Sequence, residues 1–219
     1  MTESGTEGVL LRLFEPKPGR ASDLSSPPSK SPCPGTQQTY IAVADDDEKP
    51  SRLHIHVLSD IGPLLSTSYL YDEDVKANPD WSISWIVCGF INGRDKDTSP
   101  TDSPSTIHPL SHSPAAGSKL VINGSTPRYD KESDYHEWYN VEHGPGLAIV
   151  PGWNAARRYS LQKTYGEIET ANFYGFNYYD EESGLGGPIW QKSTKTEWTY
   201  RIRSNAAKPN IRRVWRIQN

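Results

Sequence analysis

The stretch DYHEWYNVEHGPGLAIVPGWNAARRY (134–159) decides the fold, because it predicts a helix, a break and then a strand. The helix region extends over 130–150, and Ser133 or Asp134 is suited to be its N-cap. The Pro-Gly pair at 151–152 should end it, since proline cannot continue a helix and glycine favours the turn that follows.

The residues around this stretch complete one ferredoxin-like unit over 119–219. The predicted elements, in chain order, are strand 120–125, helix 130–150, strand 153–161, strand 172–180, helix 189–204 and strand 211–218. This β-α-β-β-α-β order predicts a four-stranded antiparallel sheet with both helices on its outer face.

The first part of the chain, 8–93, repeats this order without its first helix. Its predicted elements are strands at 8–15, 39–50, 52–59 and 84–91, with a helix over 62–78. A tract rich in Ser and Pro stands where the first helix should be. We therefore predict an α+β fold of two tandem ferredoxin-like units with antiparallel sheets, of which the first unit is incomplete and degenerate.

Two Ser/Pro-rich tracts, 17–35 and 94–118, have neither helical nor strand periodicity. Proline removes amide donors and serine competes for backbone hydrogen bonds, so we expect neither tract to bury enough surface to offset its ordering entropy. The first is expected to be a disordered insertion and the second a linker between the units. His108 and His112 are four residues apart, but Pro109 opposes the helix that a metal-binding pair would need.

Composition narrows the class of protein. The 219 residues carry a formal net charge of −4 and the pI is about 5.9, whereas a nucleic-acid-binding domain is expected to have a pI above about 9. No apolar run approaches the roughly 18 residues of a membrane span, and the N-terminus lacks the features of a secretory signal. The two cysteines, Cys33 and Cys88, argue against a disulfide framework. We expect a cytoplasmic protein with no nucleic-acid or membrane partner.

The helix at 130–150 carries the residues best suited to chemistry. On a regular helix His136, Tyr139 and His143 share one face. Pro145 should interrupt the helix beside His143 and free the Val141 carbonyl, so that the imidazole can point into a cavity. An imidazole there suits proton transfer, because its pKa lies near neutral pH, and the Tyr139 phenol can orient it or donate to a substrate oxygen.

The segment WYNVEHGPGLAIVPGWNAARRY (138–159) resembles the signature of the EthD-like dimeric α/β-barrel family, particularly its fungal tandem-repeat members. The residues that fit the signature are Trp138, Tyr139, Glu142, His143, Pro145, Pro151, Gly152, Arg157, Arg158 and Tyr159. The resemblance is strong over 119–219 and weak over 8–93. It implies that two ferredoxin-like units pack their sheet faces together into a barrel.

The resemblance also implies a pocket between sheet and helices, with His143 at its mouth and no cofactor. We expect His143 and Tyr139 to be catalytic. The expected substrate-binding residues are Trp138, Trp153, Arg158, Tyr174 and Tyr178. Relatives suggest a lyase, a decarboxylase or cyclase that acts on an aromatic polyketide or similar small molecule. The alternatives are a cofactor-free monooxygenase and a non-catalytic barrel that binds an aromatic ligand or acts in oligomerisation. Besides a small aromatic substrate, a second copy of the chain is an expected partner, as a homodimer through the open sheet face.

Structural roles compete with these functional ones on the same helix. Tyr135 and Trp138 are expected to form core, because a helix must bury an aromatic stripe against its sheet. Glu142 is expected to bond to backbone or to pair with Arg157 or Arg158, and His136 to be exposed.

The strands leave two alternatives open. Tyr174, Phe176 and Tyr178 share one strand face, and Phe173 and Tyr179 share the other; the alternation does not say which set lines the barrel. His54 and His56 also share one face of their strand, as a metal-binding or catalytic pair would. No carboxylate is placed to complete such a site, so packing or surface positions are favoured for both.

Overall fold

A computed structural model describes residues 6–20, 33–99 and 102–219. Its strands form one closed antiparallel barrel. They are β1 (Gly8–Pro16), β2 (Thr36–Ala44), β3 (Arg52–Leu58), β4 (Trp81–Asp95), β5 (Lys119–Ser125), β6 (Trp153–Tyr165), β7 (Phe173–Tyr179) and β8 (Ile211–Ile217). The helices are α1 (Gly62–Ser66), α2 (Tyr69–Ala77), α3 (Glu132–Trp138), α4 (Gly144–Ala148), α5 (Pro188–Thr194) and α6 (Glu197–Ser204).

The strand order confirms the α+β fold of two ferredoxin-like units. Around the barrel the first unit runs β4-β1-β3-β2 and the second runs β8-β5-β7-β6, the same order in both. The edge strand β2 pairs with β8, and β4 pairs with β6, so each unit supplies the partner for the other's open edges. The inner face of the second sheet is thus covered by the first half of the same chain. A homodimer through that face, as expected above, would require the barrel to open.

The helices differ from the sequence prediction at their ends. The helix of the second unit begins at Glu132, after a 3-10 turn, and neither Ser133 nor Asp134 caps it. Asp134 instead pairs with Arg201 at 2.6 Å. The helix expected over 189–204 is two helices, because the Thr196 side chain accepts the Thr199 amide and starts α6 as its N-cap.

The barrel interior is an apolar core shared by both units. Tyr174, Phe176 and Tyr178 point into it, so these are the lining set of the β7 aromatics. Phe173 and Tyr179 lie on the outer face with the helices. Closure of the barrel turns one face of every strand to the interior, and this decides which set of β7 aromatic residues lines it.

The first unit buries an ion pair on its outer face. Arg12 of β1 and Asp74 of α2 are almost fully buried, with Nε and Nη2 donating to the carboxylate at 2.7 and 2.6 Å. Trp85 and Asn78 also donate to this carboxylate, at 2.9 Å each. Arg12 Nη1 lies 3.1 Å from His54 Nδ1. His54 therefore belongs to a buried polar cluster that fastens α2 to the sheet.

The two Ser/Pro-rich tracts have different outcomes. In the first, the described residues 17–20 and 33–35 contain no helix, and 21–32 lie outside the described residues. The second was expected to be a low-order linker that packs into no core; among its described residues, however, β4 continues to Asp95, and both His108 and Leu110 are buried.

The side chain of Arg157 explains why the second tract packs against the barrel. Its Nε donates to the His108 carbonyl at 2.8 Å and its Nη2 to the Pro109 carbonyl at 2.9 Å. The same guanidinium pairs with Asp95 at 3.0 Å. A side chain from a distant strand thus satisfies the His108 and Pro109 carbonyls and holds this part of the segment on the barrel. In the described parts of the chain, no helix has the length and apolar character needed to cross a membrane.

The buried Arg12–Asp74 pair gives a stability test. Asp74→Ala leaves the Arg12 guanidinium buried without its counter-ion, so we expect a loss of about 3–5 kcal/mol in the free energy of unfolding. The double variant Arg12→Met/Asp74→Leu removes both charges and should be clearly more stable than Asp74→Ala. Urea unfolding measures the free energy of unfolding of both variants. If the two variants lose the same amount, the unpaired charge of Arg12 is not the cause of the destabilisation.

Candidate active site

A single π-turn shapes the helix that carries His143. The residues Tyr139–His143 form one π-helical turn between α3 and α4, and the Gly144 amide donates to the Tyr139 carbonyl five residues earlier. Pro145 follows directly and has no amide to donate, so a regular α-helical bond to Val141 cannot form. The predicted interruption beside His143 is therefore present, as a widened turn.

The π-turn decides which side chains meet. Trp138 and His143 are five residues apart and would point about 140° away from each other on a regular α-helix. In the structure their rings stack, with centroids 4.2 Å apart and planes inclined by 19°. Tyr139 meets the His143 ring edge-on at 5.3 Å. The expected face of His136, Tyr139 and His143 is thus replaced by Trp138, Tyr139 and His143.

These three rings line a cavity of about 120 Å³ between the outer face of the second sheet and its helices. The other lining residues are Val121, Asn123, Ser125, Tyr135, Leu147, Gly175, Asn177, Tyr179, Trp190, Thr194, Thr199, Ile202, Arg203, Asn210 and Arg212. The cavity adjoins an open depression of about 520 Å³, with which it shares Asn123, Arg203, Asn210 and Arg212. The location agrees with the pocket between sheet and helices that the sequence implied.

His143 is held in its neutral form. Its side chain is buried, and Nδ1 has no hydrogen-bond partner among the described residues. Burial lowers the pKa of His143 to about 4, and the positive charges of Arg203 and Arg158 act in the same direction. A hydrogen bond with the Ser193 backbone opposes this shift. The imidazole is therefore unprotonated at neutral pH and has a free nitrogen that can accept a proton.

Tyr139 is fixed from three sides. Its ring lies on Gly175, where an added Cβ would come within 3.0 Å of the phenol oxygen, so glycine provides the space. Asn177 Nδ2 donates to the Tyr139 hydroxyl at 3.3 Å, and the Arg158 guanidinium lies 4.3 Å from the ring centroid. Burial raises the pKa of Tyr139, so the phenol keeps its proton and can donate it in a hydrogen bond.

Arg158 lies behind Tyr139 and is buried. Its Nη1 donates to Asn140 Oδ1 at 2.9 Å, and its Nη2 lies 2.7 Å from His136 Nδ1. His136 was expected to be exposed; it is partly buried, because it provides this acceptor. Burial and the Arg158 charge lower the pKa of His136 to about 4, which keeps Nδ1 free to accept.

The remaining expected substrate-binding residues divide between two faces of the sheet. Trp153 lies on the cavity side, where its Nε1 donates to Asn177 Oδ1 at 3.2 Å. Tyr174 and Tyr178 point into the barrel, on the opposite face, so they do not face the His143 pocket, and their role in substrate binding stays a prediction. A strand's alternation prevents them from facing the helices together with Asn177.

Several lining residues were not anticipated from the sequence. Asn177 is the polar member of an otherwise aromatic strand, and this exception was the available signal. Arg203 and Arg212 reach the pocket mouth from α6 and β8, and nothing local in the sequence indicates that they converge. Glu142 has the expected structural role, but with a different partner: it accepts from the Thr196 hydroxyl at 2.6 Å. Among the described residues, no cluster of three His, Cys, Asp or Glu side chains could hold a metal ion.

Comparison with known proteins supports the fold. No family model matches the chain, and no curated protein matches its sequence. An anthrone oxidase-like protein superposes with a TM-score of 0.65 at 12% identity, covering 99% of this chain and 93% of that chain. A monooxygenase-like protein from Fusobacterium nucleatum gives 0.58 at 9% identity, covering 98% and 94%.

A chlorite dismutase-like protein gives a TM-score of 0.57 at 14% identity, covering 98% of this chain and 96% of that chain. These neighbours have the dimeric α/β-barrel fold, which this chain shares. At such identities the likeness establishes the fold and leaves the activity to be inferred from the site. Membership of the fungal tandem-repeat type stays a prediction.

Trp138 gives a second stability test. Its indole is buried, stacks on His143 and donates to Thr199 Oγ1 at 3.2 Å, so it joins α3 to α6. Trp138→Ala should lower the free energy of unfolding by about 3–5 kcal/mol, as large core truncations do. Trp138→Phe keeps an aromatic ring and should lose distinctly less. Chemical unfolding of both variants tests this, and an unaffected Trp138→Ala would show that the indole does not hold the helices.

The low pKa of His143 predicts a pH dependence. The folded state binds the imidazole proton near pH 4, whereas the unfolded chain binds it near 6.5, so the unfolded state holds the extra proton between these values. The stability of the wild type, relative to His143→Leu, should therefore fall by about 2 kcal/mol from pH 7 to pH 5. Urea unfolding at both pH values measures this. Parallel losses in the two proteins would mean that the folded state does not hold the imidazole neutral.

Proposed function

We propose that the chain oxidises a small aromatic substrate with molecular oxygen at the His143 pocket, without a cofactor. The observation that carries this proposal is the buried, neutral imidazole of His143, which lines a cavity together with Trp138 and Tyr139 and whose Nδ1 has no hydrogen-bond partner among the described residues. The similarity in fold to anthrone oxidase-like and monooxygenase-like proteins supports oxidation over the lyase reaction expected from the sequence.

The chemistry begins with proton removal. His143 takes a proton from an acidic C–H or phenolic O–H of the substrate, and the negative charge spreads over the aromatic system. Tyr139, which keeps its own proton, donates a hydrogen bond to the substrate oxygen where that charge develops. The anion raises the proton affinity of the imidazole during the transfer, which offsets the low pKa of the resting site.

The substrate itself then reduces oxygen. The carbanion reacts with O₂ to form a carbon–oxygen bond and a peroxide anion, which takes the proton back from His143 and becomes a hydroperoxide. Loss of water from the hydroperoxide leaves a ketone, so that a CH₂ group and O₂ give C=O and H₂O. The substrate carbon loses four electrons when CH₂ becomes C=O. Reduction of O₂ takes up the same four electrons, so no further reductant is required.

A second candidate function is decarboxylation, which the pocket mouth favours. Arg203 and Arg212 border the cavity, neither forms an ion pair with a described residue, and none of the residues lining the cavity or the depression is acidic. Such a mouth suits a substrate that carries a carboxylate. Protonation of the ring carbon as CO₂ leaves would then require an acid, a role that His143 could fill only after binding raised its pKa.

Anthrone is a suitable probe for the proposed oxidation. The expected reaction consumes one O₂ per anthrone and yields anthraquinone and water, which an oxygen electrode and absorbance measure together. His143→Ala should reduce the enzymatic rate by about 10²–10⁴-fold, the usual value of a positioned proton-transfer group. Because this change also removes a buried ring that stacks on Trp138, the rates are compared per folded molecule at a temperature below the melting transitions of both proteins.

The exposed His112 provides the matched control, since His112→Ala removes an imidazole outside the His143 pocket and should leave the rate unchanged. The decarboxylase alternative is tested by anaerobic CO₂ release from 2,4-dihydroxybenzoate. If the protein releases CO₂ from 2,4-dihydroxybenzoate and consumes no O₂ with anthrone, the proposed oxidation is wrong and decarboxylation takes its place. A protein that binds the probes but turns over neither would be the non-catalytic barrel.

A further inference from the structure

A fully buried tryptophan stands behind the wall of the His143 pocket. Trp153 begins β6 and packs with Leu147 and Val150 on the outer face of the second sheet. Its indole N–H donates to Asn177 Oδ1 at 3.2 Å, and Asn177 lines the cavity. Trp153 therefore acts on the pocket through the amide of one side chain.

The indole decides which way round the Asn177 amide lies. An indole nitrogen donates and cannot accept, so the atom that faces it must be the amide oxygen. The amide nitrogen then points to Tyr139 and donates to its hydroxyl oxygen at 3.3 Å. Asn177 is 2% exposed, and β7 pairs with a strand on either side of it. Exchanging the two ends of the amide would leave the buried indole N–H without an acceptor, which is unfavourable.

The orientation of this amide fixes the role of the Tyr139 hydroxyl. A phenol oxygen that accepts the amide N–H still has its own proton to donate, and no described residue accepts that proton. Gly175 and Asn177, which lie next to the hydroxyl, both line the cavity. The hydroxyl end of Tyr139 therefore borders the cavity, and its proton is available to a molecule bound there.

The opposite orientation of the amide would remove this donor. If Oδ1 of Asn177 faced Tyr139, it would accept the phenol proton, and the hydroxyl would present only its lone pairs to a substrate. Lone pairs repel the negative charge that develops on a substrate oxygen, whereas an aimed O–H stabilises it. The donor role of Tyr139 thus depends on a tryptophan that does not line the cavity.

We propose that Trp153 and Asn177 are positioning residues of the His143 pocket, which orient a chain of hydrogen bonds so that Tyr139 donates its proton to the substrate. This rests on the proposed function, because the bond concerned is the one that stabilises the anion left by proton removal. It also narrows the substrate class. The negative charge must reach an oxygen that faces Tyr139, so the acidic C–H must be conjugated with a carbonyl group, as it is in anthrone.

Acetophenone labelled with carbon-13 at its carbonyl tests the donor without any turnover. It combines one aromatic ring with an acceptor oxygen, and isotope-edited infrared spectra isolate its C=O stretch. In the wild type at saturating acetophenone, this band should lie at a lower frequency than in Tyr139→Phe, because a hydrogen bond weakens the C=O bond. Asn172→Asp, at an exposed position outside the pocket, is the control for the next variant and should give the wild-type band.

Asn177→Asp reverses the chain of hydrogen bonds and keeps the shape of the side chain. When the introduced carboxyl is ionised, it accepts from both the indole and the phenol, and the acetophenone band should lie where it does in Tyr139→Phe. When the carboxyl is protonated, one oxygen accepts from the indole and the other donates to Tyr139, which should restore the wild-type band. The absorption of the carboxyl in the same spectra shows which form is present. The titration stays above about pH 5, since the His143 pKa is about 4.

Trp153→Phe tests the far end of the chain. It keeps an aromatic ring but removes the indole donor, so the amide can take both orientations, and the acetophenone band should lie between its positions in the wild type and Tyr139→Phe. With anthrone, Trp153→Phe should lower kcat about tenfold. Asn177→Asp with its carboxyl ionised should lower kcat about 10²-fold, as the loss of one aimed donor does.

Three infrared results would overturn the proposal. The first is the same band in the wild type and in Tyr139→Phe, or no saturable binding of acetophenone. The second is a wild-type band in Asn177→Asp while its carboxyl is ionised, and the third is an unchanged band in Trp153→Phe. If the bands behave as expected but anthrone consumes no O₂, the positioning role holds and the proposed oxidation is wrong.

Discussion

The structure depends on the pairing of the two sheets at their edges. A ferredoxin-like sheet leaves two edge strands with unpaired amides and carbonyls, and an apolar face without a cover. Here β2 pairs with β8, and β4 pairs with β6 over Trp85 to Asp95, so both problems are solved within one chain. Closure fixes which face of every strand is interior, and this in turn fixes where each cavity can form.

The two units use their outer faces differently. In the second unit, α3 and α4 cover the sheet, and the π-turn between them brings Trp138, Tyr139 and His143 over Gly175. In the first unit, the described residues place α1 and α2 on the sheet, and a buried cluster around Arg12 and Asp74 fastens α2 in place. The candidate catalytic pocket lies in the second unit, because in the part of the chain that the structure describes the helix with Trp138, Tyr139 and His143 belongs to that unit.

Burial gives the candidate site its chemistry. An imidazole in water would be partly protonated near neutral pH, but desolvation together with nearby guanidinium groups keeps His143 neutral. The same desolvation keeps the Tyr139 phenol protonated. One environment thus provides a proton acceptor and a hydrogen-bond donor side by side, which suits the removal of a proton from an aromatic substrate.

The sequence alone determined the element order and the interruption at Pro145, and it singled out Trp138, Tyr139 and His143, whose rings meet in the structure. These depend on local rules: strand alternation, proline's missing amide and the spacing of aromatic residues along a helix. Local rules also misplaced features that depend on distant partners. The 94–118 segment packs onto the barrel because Arg157 satisfies its carbonyls, and His136 is partly buried because Arg158 requires an acceptor.

Only the tertiary structure decided the face of each strand. Alternation divides Tyr174 and Tyr178 from Asn177 but is symmetric between inside and outside, so barrel closure had to place the tyrosines in the core and the asparagine beside Tyr139. It likewise brought Arg203 and Arg212 to one pocket mouth. These groups are far apart along the chain, and their meeting follows from the sheet order, which local spacing does not encode.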